Sequence, residues 1–99
     1  GVAFTRHEQC HRDIAIVVDE DVRWADLRRC IDEHAPQHLE SVDFFDVYRG
    51  EPIPPDKKSM AFSVTFRSPD GTLTREEADA ARDTILDGLK KQFDAELRG

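Results

Sequence analysis

Between Lys58 and Arg67, Met60, Phe62, Val64 and Phe66 alternate without a break with Ser59, Ala61, Ser63 and Thr65. Successive side chains of a strand point to opposite faces, so this segment predicts a strand with one large apolar side and one side of small residues. A chain that contains it needs a sheet covered on one face, and amphipathic elements to cover it.

Two stretches supply that cover. From Val22 to about Ala35, Trp24, Leu27, Ile31 and Ala35 recur at helical spacing, and Pro36 stops the pattern. After a turn at Ser68-Pro69-Asp70-Gly71, Thr74 and Glu77 stand at capping-box spacing, and Ala78, Ala81, Ile85, Leu86, Leu89 and Phe93 form one stripe over about five turns. Three further strands are expected. Residues 13–19 are β-branched, with Ile14, Ile16 and Val18 on one side; residues 42–50 alternate; a short edge piece lies near 95–97. Glu51 to Asp56 holds three prolines and reads as a loop. The order βαββαβ predicts an α+β, ferredoxin-like two-layer sandwich: a four-stranded antiparallel sheet with both helices on one face.

At 99 residues and 38% hydrophobic, the chain is expected to be a single domain over residues 1–99, with residues 1–10 as an N-terminal extension. The only methionine is Met60, and the chain reads as a fragment of a longer one. A deep-pocket enzyme is not expected at this size. No apolar run approaches the ~20 residues of a membrane span, and no secretory leader is visible, so no membrane partner and a cytoplasmic location are expected. Two cysteines, Cys10 and Cys30, give no sign of a disulfide framework. The net charge of −7 argues against gripping nucleic acid by electrostatics alone. It is uneven, however: residues 1–18 and 42–67 are neutral, and the acid sits in the mainly helical stretches.

The uncovered sheet face is the place to look for function. With Phe45 and Val47 taken as the core-side pair of the second strand, Asp46 and Tyr48 point outward with Phe44, beside Ser59 and Ala61 and with Arg49, Lys57 and Lys58 near the rim. An aromatic ring, a carboxylate and a floor of small side chains suit a flat nucleobase: the ring stacks, the carboxylate accepts from a base edge, and cations hold phosphates. The plainer alternative is that Tyr48 and Phe44 are a cross-strand pair on a half-solvated sheet.

Arg12-Asp13-Ile14-Ala15, Leu39-Glu40-Ser41-Val42, Phe45-Asp46-Val47-Tyr48-Arg49-Gly50, Lys58-Ser59-Met60-Ala61-Phe62 and Thr72-Leu73-Thr74 with Glu76-Glu77 resemble the ferredoxin-fold anticodon-binding domain. That domain closes the beta subunit of bacterial phenylalanyl-tRNA synthetase, and the resemblance covers about residues 10–98. It implies a non-catalytic module that holds the anticodon of tRNA-Phe. No cofactor is expected in the fragment, and ATP and magnesium belong to the parent ligase. The implied partners are tRNA-Phe, the synthetase alpha subunit and the remaining beta-subunit domains of a heterotetramer. It further implies that the first anticodon base is held by Asp46, Tyr48, Ser59 and Ala61; beside these, Arg49, Lys57, Lys58 and Arg12 are expected to contact phosphates.

Other constellations are weaker. Acylphosphatase chemistry on this topology needs an asparagine, and the chain has none. An RNA-recognition motif would carry aromatics where Met60 and Thr65 stand. An amino-acid-binding regulatory domain would want glycine where Asp19-Glu20-Asp21 stands. His7, Cys10, Cys30 and His34 have the residue types of a zinc site at loose spacing; Cys30 is as well explained as a core residue and His34 as a helix-end partner. A protein–protein docking domain is the alternative function.

Overall fold

The computed structural model describes residues 9–69, 71 and 73–98. Six elements follow in the expected order: β1 (Gln9–Asp19), α1 (Trp24–Glu33), β2 (Leu39–Tyr48), β3 (Lys57–Arg67), α2 (Arg75–Phe93) and β4 (Glu96–Leu97). They form a four-stranded sheet in the order β2-β3-β1-β4, with β1 antiparallel to β3 and β4, and β2 antiparallel to β3. This is the ferredoxin-like arrangement.

Strand β1 starts four residues before the β-branched run, because Gln9 to Arg12 pair with Arg67 to Val64 on β3. Those residues are polar or small, so the apolar signal begins late. Helix α1 is shorter than its periodicity: the Arg23 amide donates to Asp26 Oδ2 at 3.1 Å at its start, and His34 caps its end. Helix α2 opens with the expected capping box. Thr74 Oγ1 accepts from the Glu77 amide at 3.1 Å, and Glu77 Oε1 accepts from the Thr74 amide at 2.9 Å.

Both helices cover one side of the sheet. The core between the layers holds Ile14, Ile16 and Val18 of β1, Met60, Phe62, Val64 and Phe66 of β3, Leu27, Cys30 and Ile31 of α1, and Ala78, Ile85 and Leu89 of α2. The apolar side of β3 is thus where alternation placed it. Val42 of β2 joins the same layer, so three strands and both helices share one core. The two helices approach closely at Gly88: a Cβ there would lie 2.9 Å from Cγ of His34, whose Nδ1 is 2.9 Å from the Cys30 carbonyl oxygen.

Strand β2 departs from simple alternation. Val42 pairs with Val64 and Phe44 with Phe62, but the register then shifts, and Asp46 pairs with Ala61, Val47 with Met60 and Tyr48 with Ser59. The extra residue is Phe45, left out of the pairing and 57% exposed. A bulge of this kind resets the pleat by one residue. The expectation that Phe45 faces the core and Phe44 the open side is therefore reversed. Phe44 lies on the helix side with its ring 5.2 Å from that of Trp24.

Candidate nucleic-acid interface

The uncovered face is a set of cross-strand rows. Tyr48, Ser59 and Val17 form one row across β2, β3 and β1, and Asp46, Ala61 and Ala15 form the next. The four residues expected to meet a base are thus two directly opposed pairs, Tyr48 with Ser59 and Asp46 with Ala61. Opposed side chains on one sheet face stand about 5 Å apart at Cβ, within the span of one base. The bulge at Phe45 creates this arrangement, since an unbroken β2 carrying Phe44 on the core side would turn Asp46 and Tyr48 inward.

Tyr48 is 40% exposed, and its hydroxyl donates to the Glu51 carbonyl at 2.6 Å. The tight turn that brings Glu51 back needs Gly50, whose φ of +115° is open mainly to glycine. Ser59 is only 2% exposed. Across the sheet, the Arg98 amide donates to the Ala15 carbonyl at 2.8 Å, next to the Leu97–Ile16 pair, which sets the Arg98 side chain toward the uncovered face. From there its guanidinium reaches over the two central strands to stand 5.0 Å from the centre of the Tyr48 ring. This is cation–π distance, and it places a flat, polar, planar group over the ring face.

Alternation along β3 could not find Arg98, because its place depends on how β4 pairs with β1. Ala15 and Val17, which extend the small-residue floor, are in phase with each other and opposite in phase to Ile14 and Ile16, so the same pleat argument applied to β1 points to them. Further along, the face is polar: His11 Nδ1 lies 3.2 Å from Thr65 Oγ1, and His11 Nε2 lies 3.3 Å from Asp13.

The four cations expected near phosphates divide into two pairs. Arg49 and Lys57 are at the rim beside Tyr48, and each holds a carboxylate. Arg49 Nε donates to both Glu20 carboxylate oxygens at 2.9 Å, and Lys57 Nζ to Asp19 at 2.6 Å. The Arg49 hydrogen bond holds the Glu20 carboxyl below the usual carboxylate range, and the Asp19 hydrogen bond raises the Lys57 ammonium. Arg12 and Lys58 are not brought to this face. Arg12 opposes Val64 on the helix side and donates from Nε to Asp79 of α2 at 2.9 Å. Lys58 is 7% exposed and donates to the Glu20 carbonyl at 2.9 Å. Both are in phase with the core residues of their strands, which is the signal that places them.

Of the possible metal ligands, Cys30 Sγ and His34 Nδ1 are 3.6 Å apart, while Cys10 Sγ lies 3.8 Å from the Leu73 carbonyl oxygen; His7 is outside the described residues. Burial pushes the Cys30 thiol up, away from the thiolate a metal needs. Among the described residues, no group of three or more His, Cys, Asp or Glu converges, and no helix is long and apolar enough to cross a membrane.

Comparison with known proteins agrees with this geometry. Residues 5–98 match the model of the ferredoxin-fold anticodon binding domain. The chain is 48% identical over 89 residues to a phenylalanine–tRNA ligase beta subunit of Corynebacterium efficiens, covering 90% of this chain and 11% of that protein. It is 46% identical over 88 residues to the Geobacillus kaustophilus beta subunit (89% of this chain, 11% of that one). With that of Syntrophotalea carbinolica, identity is 40% over 96 residues, or 97% of this chain and 12% of that one. The chain thus spans about a tenth of the length of these curated relatives. A family model that covers nearly all of the chain, a βαββαβ sheet with one uncovered face, and this degree of identity together establish that the chain belongs to the ferredoxin-fold anticodon binding domain family.

Proposed function

We propose that this domain holds the anticodon loop of tRNA-Phe for a phenylalanine–tRNA ligase acting in the cytoplasm, with the amino acid, ATP and magnesium handled by the alpha subunit and the other beta-subunit domains. The observation that carries the reading is the pair of opposed couples, Tyr48 with Ser59 and Asp46 with Ala61, on the uncovered face, under a guanidinium 5.0 Å from the Tyr48 ring. A base that stacks on Tyr48 takes the position the Arg98 guanidinium occupies, or is held between the two. The Asp46 carboxylate, one row along, then accepts from N–H groups on the base edge, which favours guanine, whose edge carries adjacent N–H donors. Arg49 and Lys57 face the backbone phosphates of the same nucleotide, while Arg12 and Lys58, held on the helix side, act as structural cations.

The test is an amide chemical-shift titration of the 99-residue chain with an anticodon stem–loop carrying GAA, and with the same hairpin carrying a scrambled loop. Shifts centred on Asp46, Tyr48, Ser59, Ala61 and Arg98 with the GAA loop only are expected. Tyr48→Ala should weaken binding by about fivefold or more with the fold intact, since base–aromatic stacking is worth roughly 1–3 kcal/mol. Equal shifts with both loops, or unchanged binding by Tyr48→Ala, overturn the reading in favour of a protein-docking surface.

A further inference from the structure

At the end of the sheet that carries Tyr48, the two rim cations Arg49 and Lys57 each already hold a carboxylate. Asp19 and Glu20 are consecutive residues where β1 ends, and they reach Lys57 at the start of the adjacent β3 and Arg49 just past the end of β2, one strand further out. The placement of Glu20 is built rather than accidental. Its amide donates to the Asp56 carbonyl at 3.1 Å and its own carbonyl accepts from Lys58 Nζ at 2.9 Å, so the backbone is fixed on both sides before the carboxylate meets the Arg49 fork. Arg49 is the residue after Tyr48, so this carboxylate acts next to the stacking ring. Both partners remain solvent-accessible, with side chains 56% and 45% exposed, so a phosphate can compete for the same guanidinium.

Resting on the anticodon-binding reading, we propose that Glu20, supported by Asp19, is a specificity-determining residue that competes with RNA phosphates for Arg49 and so suppresses loop-independent binding. An RNA phosphate meeting this rim exchanges one anion for another at the guanidinium. Such an exchange contributes little net attraction and releases few counterions, so sequence-independent affinity stays low. A base stacked on Tyr48 gains its contacts without that exchange. The penalty therefore falls hardest on RNA that has only phosphates to offer. The chain's net charge of −7 also opposes RNA, but it sits mainly in the helical stretches, whereas Glu20 acts at one named cation.

The experiment compares the unaltered chain with Glu20→Gln, binding the GAA and scrambled hairpins across a salt series, with Glu76→Gln on α2 as a control for net charge. Glu20→Gln should raise affinity for the scrambled hairpin roughly fivefold and steepen its log–log salt dependence by about 0.7, the increment of one added phosphate contact to a single strand. A loop anchored by its base has its phosphates held in place and should gain less, so the ratio of GAA to scrambled affinity falls. Unchanged scrambled-hairpin affinity and slope with the fold intact, an equal gain for both hairpins, or the same gain in Glu76→Gln would each overturn the proposal. Tyr48→Ala in the same series separates the two ideas: loss of GAA preference upholds the anticodon reading whatever Glu20→Gln does.

Discussion

Trp24 and Phe44 pack ring against ring on the helix side of the sheet, tilted by 37° with centroids 5.2 Å apart, and Trp24 also meets Phe62 at 5.4 Å. This contact holds β2 in the phase that follows from the bulge. Phe44→Ala should therefore destabilise the domain by about 2 kcal/mol, through lost aromatic packing and partial burial. Phe45→Ala, one residue along and outside the pairing, should change stability by no more than about 0.5 kcal/mol. Denaturant unfolding of the two variants checks this, and equal losses would mean that β2 is not bulged as described.

The approach of the helices at Gly88 leaves no room for a methyl group. Gly88→Ala gains about 1 kcal/mol of helix propensity but forces the His34 ring out of its place and disturbs its contact with the Cys30 carbonyl oxygen. Overpacking of this kind costs about 1–3 kcal/mol, so a net loss near 1 kcal/mol is expected. Adding His34→Ala should recover most of it, because the clash is with that ring alone among the nearest atoms. Thermal melts of the single and double variants distinguish this outcome from simple helix stabilisation.

Acid should loosen the fold below about pH 4.5, the ordinary value of a Glu carboxyl. The Arg67 hydrogen bond lowers the Glu40 carboxyl, with help from Gln9, and the Arg49 hydrogen bond lowers Glu20. A carboxyl that ionises more readily folded than unfolded adds stability above its unfolded value and loses it as pH falls through the folded one. Glu40→Gln should thus flatten the decline of Tm between about pH 5 and pH 3 relative to the unaltered chain. Identical Tm–pH curves would show that the Arg67 pair contributes nothing to the linkage.

Arg12 ties β1 to α2 through Asp79, with its side chain 23% exposed. Arg12→Ala should lower stability by about 1 kcal/mol and leave hairpin binding unchanged, because the residue lies on the far side of the sheet from Tyr48. A loss of RNA affinity with Tm unchanged would put Arg12 back at the RNA surface.

The element order and the core side of β3 could be read from residue spacing because both rest on uninterrupted periodicity. Asp46 and Tyr48 were placed on the correct face for a partly wrong reason. Phe44-Phe45 offers two equivalent apolar rings, and nothing in residue type says which of them the bulge expels. Arg12 and Lys58 are legible in principle, since each shares the phase of the buried residues of its strand; positive charge alone suggests a phosphate contact instead. Arg98 and the Glu20–Arg49 pair join residues 50 and 29 positions apart in the chain, and only the strand order brings them together.

The hydrogen bond from the Tyr48 hydroxyl to Glu51 has a thermodynamic effect separate from its geometry. It fixes the phenol at its tip while β2 fixes it at its root, so the ring has little rotational freedom left to lose when a base arrives. An aromatic anchor that is already still keeps more of its stacking energy as affinity than one that must be immobilised on binding. Removing only that oxygen, as in Tyr48→Phe, leaves the stacking surface whole and frees its motion, which would isolate the entropic share of recognition in a single atom.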